Sequence, residues 1–117
     1  MTKQELGILG ENKACVFLKS IGHKIINRNY RLRHEEVDII STFEGLMHFT
    51  EVKTRQTAAI GEPWRAVTIT KQKSIIRVAD HYLKSNLLDI EAQFNIVSIV
   101  HNQFRSDLEY IPKAFVP

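Results

Sequence analysis

Apolar positions along the chain change period several times, and each change marks an element. Ala14, Cys15, Leu18 and Ile21 recur on one helical stripe. Ahead of that stripe, Thr2 and Glu5 have capping-box spacing, and beyond it Gly22 supplies a left-handed stop, so a helix is predicted from Thr2 to Ile21. Lys24 to Arg31 reads as a strand, with Ile25, Ile26 and Tyr30 for packing and Asn27, Arg28 and Asn29 facing water or a ligand.

From Glu36 to Lys53, apolar runs of strand length flank Phe43-Glu44-Gly45, which predicts a hairpin. With Glu44-Gly45 as a two-residue loop, Phe43 faces Leu46, Ile40 faces Phe49, Asp38 faces Glu51 and Glu36 faces Lys53. Thr54 to Pro63, with Gly61 and Pro63, reads as a loop, and Trp64 is expected to cover core.

Thr70 is the expected cap of a second helix, in which Ile75, Val78, Ala79, Tyr82 and Leu83 recur on one face. Phe94 to Val100 then reads as a buried strand, and Leu108 to Ile111 as a last strand ending before Pro112. The predicted order is helix, three strands, helix, two strands. No internal repeat interrupts it, and 117 residues suffice for one α/β domain, residues 1–117, with helices packed on a sheet.

Two placements within this pattern carry chemistry. If Asp38 opposes Glu51, two carboxylates share one face with Cβ atoms roughly 5 Å apart, where like charges repel unless a cation stands between them. A divalent metal is the expected cation. Glu11 falls on the apolar stripe of the first helix, and a carboxylate aimed at the core is costly unless paired, protonated or bound to a cation.

Composition adds boundaries. Hydrophobic residues at 44% and charged residues at 25% are those of an ordinary globular domain. No apolar run approaches the roughly 20 residues of a membrane span and the N-terminus has no signal-peptide layout, so a cytoplasmic location without membrane contact is expected. The lone Cys15 reads as a small buried residue.

A net charge of +3 and a pI near 9.1 suit a polyanionic partner, and the placement of the cations is more informative than their number. Lys24, Arg28, Arg31, Arg33 and His34 lead into the hairpin, while Arg55, Arg65, Lys71, Lys73 and Arg77 follow it. An acidic notch rimmed by cations is suited to phosphodiester chemistry. Lys71 and Lys73 open the second helix against its dipole, an arrangement that makes sense where lysines and free amides together meet phosphate. His34 reads as a surface residue, and His48 falls on the strand face opposite Asp38 and Glu51.

Glu36-Val37-Asp38-Ile39-Ile40 followed by Phe49-Thr50-Glu51-Val52-Lys53-Thr54-Arg55 resembles the active-site core of the PD-(D/E)XK nuclease superfamily, and within it the YraN-like branch. Gly10-Glu11, Ala14 and Leu18, then Asn29-Tyr30-Arg31, Gly61, Lys73, Ala79-Asp80-His81-Tyr82-Leu83, Tyr110-Ile111 and Ala114-Phe115 follow in the order of that branch. The resemblance implies a restriction-endonuclease-like core: a central mixed β-sheet flanked by helices, in the order αβββαββ. It places Glu11, Asp38, Glu51 and Lys53 on the acidic and lysine positions. Two segments depart from the branch: Glu35 stands where Gly is usual, and Gln93-Phe94-Asn95 where Arg-Phe-Asp is usual.

The implied activity is a Mg²⁺-dependent endonuclease acting on DNA, with branched or damaged DNA among its candidate substrates and Mn²⁺ able to replace Mg²⁺. Asp38, Glu51 and the Val52 carbonyl would hold the metal. Lys53 would orient or deprotonate the attacking water or stabilise charge on phosphorus, Glu11 would reach a ligand or its water, and Arg28, Arg31, Arg55, Lys71 and Lys73 would contact nucleic acid. A homodimer is expected where one small domain must grip a duplex. The alternative from another class is a nucleic-acid-binding module that keeps the fold and cleaves nothing.

Overall fold

The computed structural model describes residues 1–57, 65 and 67–117. Its elements run α1 (Lys3–Ser20), β1 (Lys24–Leu32), β2 (Glu35–Phe43), β3 (Leu46–Arg55), α2 (Ile69–Ser85), β4 (Ala92–His101) and β5 (Ser106–Phe115). The predicted order holds. The five strands form one sheet in the order β1-β2-β3-β4-β5, with every neighbouring pair antiparallel except β3 and β4. That parallel step needs a crossover, and the crossover contains α2. The loop expected from Thr54 to Pro63 begins later, because Thr54 and Arg55 still pair with β4 as part of β3; Gly61, Pro63 and the packing role of Trp64 fall outside the described residues.

Each helix covers its own face of the sheet. Ala14, Cys15 and Leu18 of α1 pack on Ile39, Val97 and Ile99, while Ile75, Val78, Ala79 and Tyr82 of α2 pack on Val37, Ile40, Phe49, Phe94 and Ile96. These side chains are nearly all fully buried, at roughly 1.5–3 kcal/mol each relative to exposure. Cys15 belongs to this core, as expected, and burial pushes its thiol up.

Thr2 caps α1 with both reciprocal bonds of a capping box: its hydroxyl accepts from Glu5 N at 3.1 Å, and Glu5 Oε1 accepts from Thr2 N at 2.9 Å. Gly22, at φ 110°, turns the chain out of the helix. Ile21 is 39% exposed rather than part of the buried stripe, because it occupies the C-cap where the helix has already ended. Ile26 is equally exposed, since β1 is an edge strand with a register shift between Ile25 and Asn27.

Several boundaries differ from expectation: β4 spans Ala92–His101 rather than Phe94 to Val100, and β5 begins at Ser106 rather than Leu108. The cap of α2 is Thr68, not Thr70: Thr68 has extended backbone and its hydroxyl accepts from Lys71 N at 3.2 Å, which places Thr70 inside the first turn. The last strand continues through Pro112 to Phe115. Proline is tolerated there because β5 is an edge strand, and the next residue, Lys113, has φ 50° and donates its N–H to the Asn95 side chain at 3.2 Å.

Candidate active site

The β2–β3 hairpin turns through Glu44 and Gly45, both at positive φ, 51° and 77°, as a two-residue loop following the right-handed twist of its strands requires. Phe43 pairs with Leu46 and Ile40 with Phe49, the predicted register. The ladder runs as far as Ile39 and Thr50. At the next step the Asp38 carboxylate intervenes, its Oδ2 accepting from Val52 N at 2.8 Å. Face alternation breaks at the same place, since Val37 and Ile40 both belong to the core under α2 and Ile39 to the core under α1. Glu36 therefore does not face Lys53. It pairs with Arg31 across β1 and β2, with an Arg31 Nη2 to Glu36 Oε2 distance of 3.3 Å.

Glu51 follows at once on β3 and is 9% exposed. Its Oε1 is buried without a hydrogen-bond partner among the described residues, and its Oε2 lies 3.6 Å from Lys71 Nζ. Burial first, and then the charge of neighbouring Asp38, pushes the Glu51 carboxyl up to about 9; Lys71 acts in the opposite direction without reversing it. Asp38 and Glu51 are thus the adjacent, mutually repelling carboxylates expected from the sequence.

Glu11 is brought to the same region by α1. A Cβ added at Gly10 would stand 1.7 Å from Thr54 Oγ1, so the absence of a side chain there lets the helix backbone press against β3. The Glu11 carboxylate accepts from Arg28 Nε at 3.1 Å and Asn29 Nδ2 at 2.9 Å, both through Oε1. Burial raises its pKa, with Arg28 partly offsetting the rise. Glu11, Asn29, Asp38, Val52, Lys53 and Thr54 line a cleft of about 350 Å³. Lys53 is exposed at its edge and forms no ion pair within 4.0 Å among the described residues.

The expected nucleic-acid contacts divide. Arg28 is spent on Glu11 and on Asn12, to whose Oδ1 its Nη2 donates at 2.7 Å, so it braces the site from within. Arg31 is tied to Glu36, although 72% of its side chain stays exposed. Lys71 reaches the buried Glu51, while Lys73 is exposed on α2 and Arg55 half-buried at the end of β3.

Sequence reasoning missed two partners. Asn29 holds Glu11 from a left-handed position at φ 53°, for which an asparagine inside a strand was the available signal. Lys71 was read as a phosphate contact and not as the partner of Glu51, because no periodicity in α2 reports which β3 residue it will meet.

The two departures from the branch are structural in effect. Glu35 opens β2 and ion-pairs with Arg77 of α2, whose guanidinium holds its carboxyl below the usual range. Asn95 bonds to Thr50 and His48 on the face opposite Glu51, away from the carboxylate pair. His48 is buried there too, as its predicted face required.

A mixed sheet between two helices, with Asp38 on one arm of a hairpin and Glu51-Val52-Lys53 on the other, is consistent with the PD-(D/E)XK class. The chain belongs to the Uncharacterised protein family UPF0102, whose model matches residues 10–99, in agreement with the YraN-like reading. It is similar to UPF0102 proteins of Clostridium novyi (41% identical, covering 94% of each chain) and Caldicellulosiruptor saccharolyticus (38% identical, covering 98% of this chain and 100% of the relative). A relative from Bacteroides thetaiotaomicron is 35% identical over 97% of this chain and 93% of its own. No helix among the described residues is long and apolar enough to cross a membrane.

Proposed function

We propose that this chain is a divalent-metal-dependent nuclease that hydrolyses phosphodiester bonds in DNA. The observation that carries the reading is the pairing of Asp38 with a buried Glu51 whose Oε1 has no hydrogen-bond partner among the described residues, beside the exposed Lys53. A structural role would leave such a carboxylate paired.

The donor set fits Mg²⁺ or Mn²⁺. Both are hard cations held by one or two carboxylates together with water and phosphate. Among the described residues no group of three His, Cys, Asp or Glu is arranged to hold a metal, so Asp38, Glu51 and the Val52 carbonyl would be the protein's whole contribution. When bound, the ion supplies Lewis acidity toward phosphate and a more acidic water.

The remaining work falls to the chain. The Val52 N–H fixes the Asp38 carboxylate in direction. Lys53 presents an ammonium at the cleft edge, where it orients the attacking water and stabilises negative charge growing on phosphorus. Arg28 and Asn29 hold Glu11 against the opposite wall, ready to accept a hydrogen bond from that water. Lys71, with its Nζ 3.6 Å from Glu51 Oε2, favours the ionised form of Glu51 against the effect of burial.

The test is cleavage of linear, nicked, flapped and four-way-junction DNA with Mg²⁺ or Mn²⁺, by the parent chain and by Asp38→Asn. Metal-dependent cleavage lost in the variant supports the reading, and a parent that cleaves no DNA refutes it.

A further inference from the structure

Past the acidic cleft, β3 ends at Arg55, and Gln56 just beyond it forms one wall of a second cavity of about 690 Å³. Leu6 of α1 forms another, and the β4–β5 turn closes it with His101, Asn102 and Phe104. Leu6 also lines the acidic cleft, so the two adjoin. Gln56 is three residues beyond Lys53, roughly 10 Å along an extended strand, about the reach of a few nucleotides.

Phe104 is 84% exposed, yet the turn that carries it is firmly tied. Asn102 Oδ1 accepts from the backbone N–H of Phe104 at 2.8 Å and of Arg105 at 3.1 Å, and Asn102 Nδ2 donates to the Gln56 carbonyl at 2.7 Å. A pinned turn therefore displays an aromatic ring in water over the end of the strand that carries Glu51 and Lys53. His101 Nδ1, in the same wall, is buried and has no hydrogen-bond partner among the described residues. An exposed ring on a fixed support, beside the amide groups of Gln56, Asn102 and Gln103, suits a ligand that is flat and apolar on its faces and polar at its edge.

We infer that this cavity is a subsite for one unpaired nucleobase of the strand held in the acidic cleft, stacked on Phe104. The assignment rests on the nuclease reading of that cleft and narrows it. A base inside a duplex hides its faces in the stack, so the substrate is DNA with an unpaired nucleotide beside the scissile bond, as at a flap, a bubble or a branch.

The experiment is binding of a short single-stranded DNA carrying one 2-aminopurine, and of the same strand in a duplex, without added metal so that no cleavage intervenes. Stacking on Phe104 quenches the 2-aminopurine, and the single strand binds more tightly than the duplex. Phe104→Ala, at an exposed position that leaves the fold intact by circular dichroism, loses the quench and weakens single-strand binding about tenfold or more, the usual loss for one base-aromatic stack. Phe104→Trp restores both.

Unchanged quench and affinity in Phe104→Ala overturn the subsite while metal-dependent cleavage, if present, leaves the nuclease reading standing. Quenching by a parent that cleaves nothing supports the subsite and removes the nuclease reading in favour of a binding module. Absence of binding to any DNA overturns both. A parent dimer that Phe104→Ala dissociates without altering the quench overturns the subsite in favour of a self-association patch.

Discussion

Two clusters of buried polar side chains share the β2–β3 hairpin, a few residues apart and on opposite terms. Near the turn, His23 Nδ1 lies 2.8 Å from Ser41 Oγ, and His48 Nε2 donates to the Phe43 carbonyl at 3.2 Å. Asn95 Nδ2 donates to His48 Nδ1 at 3.1 Å and to Thr50 Oγ1 at 3.3 Å, while Asn95 Oδ1 accepts from Gln93 Nε2 at 2.9 Å. Only Nε2 of His23 is left over. Farther along the same strands, Asp38 and Glu51 stand together as two carboxyl groups, burial and the charge of Asp38 disfavour ionisation of Glu51, and a buried Glu51 oxygen has no hydrogen-bond partner among the described residues. The first cluster is neutral and nearly saturated, so it stabilises one packing of the sheet. The second is acidic and unsaturated, and the fold tolerates it at a cost that protonation of Glu51 relieves in part.

The sharpest way to break this contrast is to substitute within the acidic cluster. Lys53→Met keeps much of the aliphatic stem and deletes the ammonium, and it should lower DNA cleavage about a hundredfold or more while DNA affinity and melting temperature barely move. Cleavage at the parent rate, with metal binding retained, would remove Lys53 from the chemistry.

In the saturated cluster the effect should appear in stability instead. Asn95→Ala orphans His48, Thr50 and Gln93 together, for a loss of ~2 kcal/mol or a melting temperature about 10 °C lower. An unchanged melting curve would mean the network contributes nothing net.

Acid should act on that cluster too. Burial lowers the His23 pKa from 6.5 to about 4, so between those values the unfolded chain binds a proton that the folded chain refuses. The contribution of His23 is therefore complete above about pH 6.5 and shrinks as pH falls toward 4, by ~3 kcal/mol. Urea melts across that range should slope less in His23→Gln, and equal slopes would contradict the assignment.

Neutralising the unsaturated cluster should be nearly free. Glu51→Gln replaces a buried carboxyl that its surroundings already hold protonated at neutral pH, so stability should stay level or rise by ~1 kcal/mol while calorimetric Mn²⁺ binding disappears. A loss of several kcal/mol would show Glu51 to be a structural ion-pair partner. The smallest effect belongs to Lys73→Ala, which should reduce the salt dependence of DNA binding by about one unit of slope. No change would leave Lys73 as surface charge.

Much of this was legible in the chain because it depends on local geometry. Thr2 and Glu5 meet as a capping box whatever the helix packs against, and Glu44-Gly45 sets a two-residue turn that carries the register to Ile39 and Thr50. The opposition of Asp38 and Glu51 follows from counting outward from that turn. The backbone ladder itself stops at Ile39 and Thr50, and Glu36 does not meet Lys53, because a side chain took a backbone position in the ladder: Asp38 accepts the Val52 N–H, and no periodicity announces such a substitution.

What the sequence determined by itself was the order of elements, the two apolar faces and the presence of an acidic hairpin with Glu-x-Lys, since each rests on contacts between residues near in the chain. Tertiary structure alone decided which cation meets which acid. Arg28 and Asn29 reach Glu11 across 17 and 18 residues, Lys71 reaches Glu51 from another helix, and Arg77 reaches Glu35 across 42. It likewise brought the β4–β5 turn and Phe104 to the end of β3, through the parallel pairing of β3 with β4. Long side chains on a solvated face have many rotamers and many candidate partners, and only the packing of α1 and α2 on opposite faces of the sheet selects among them.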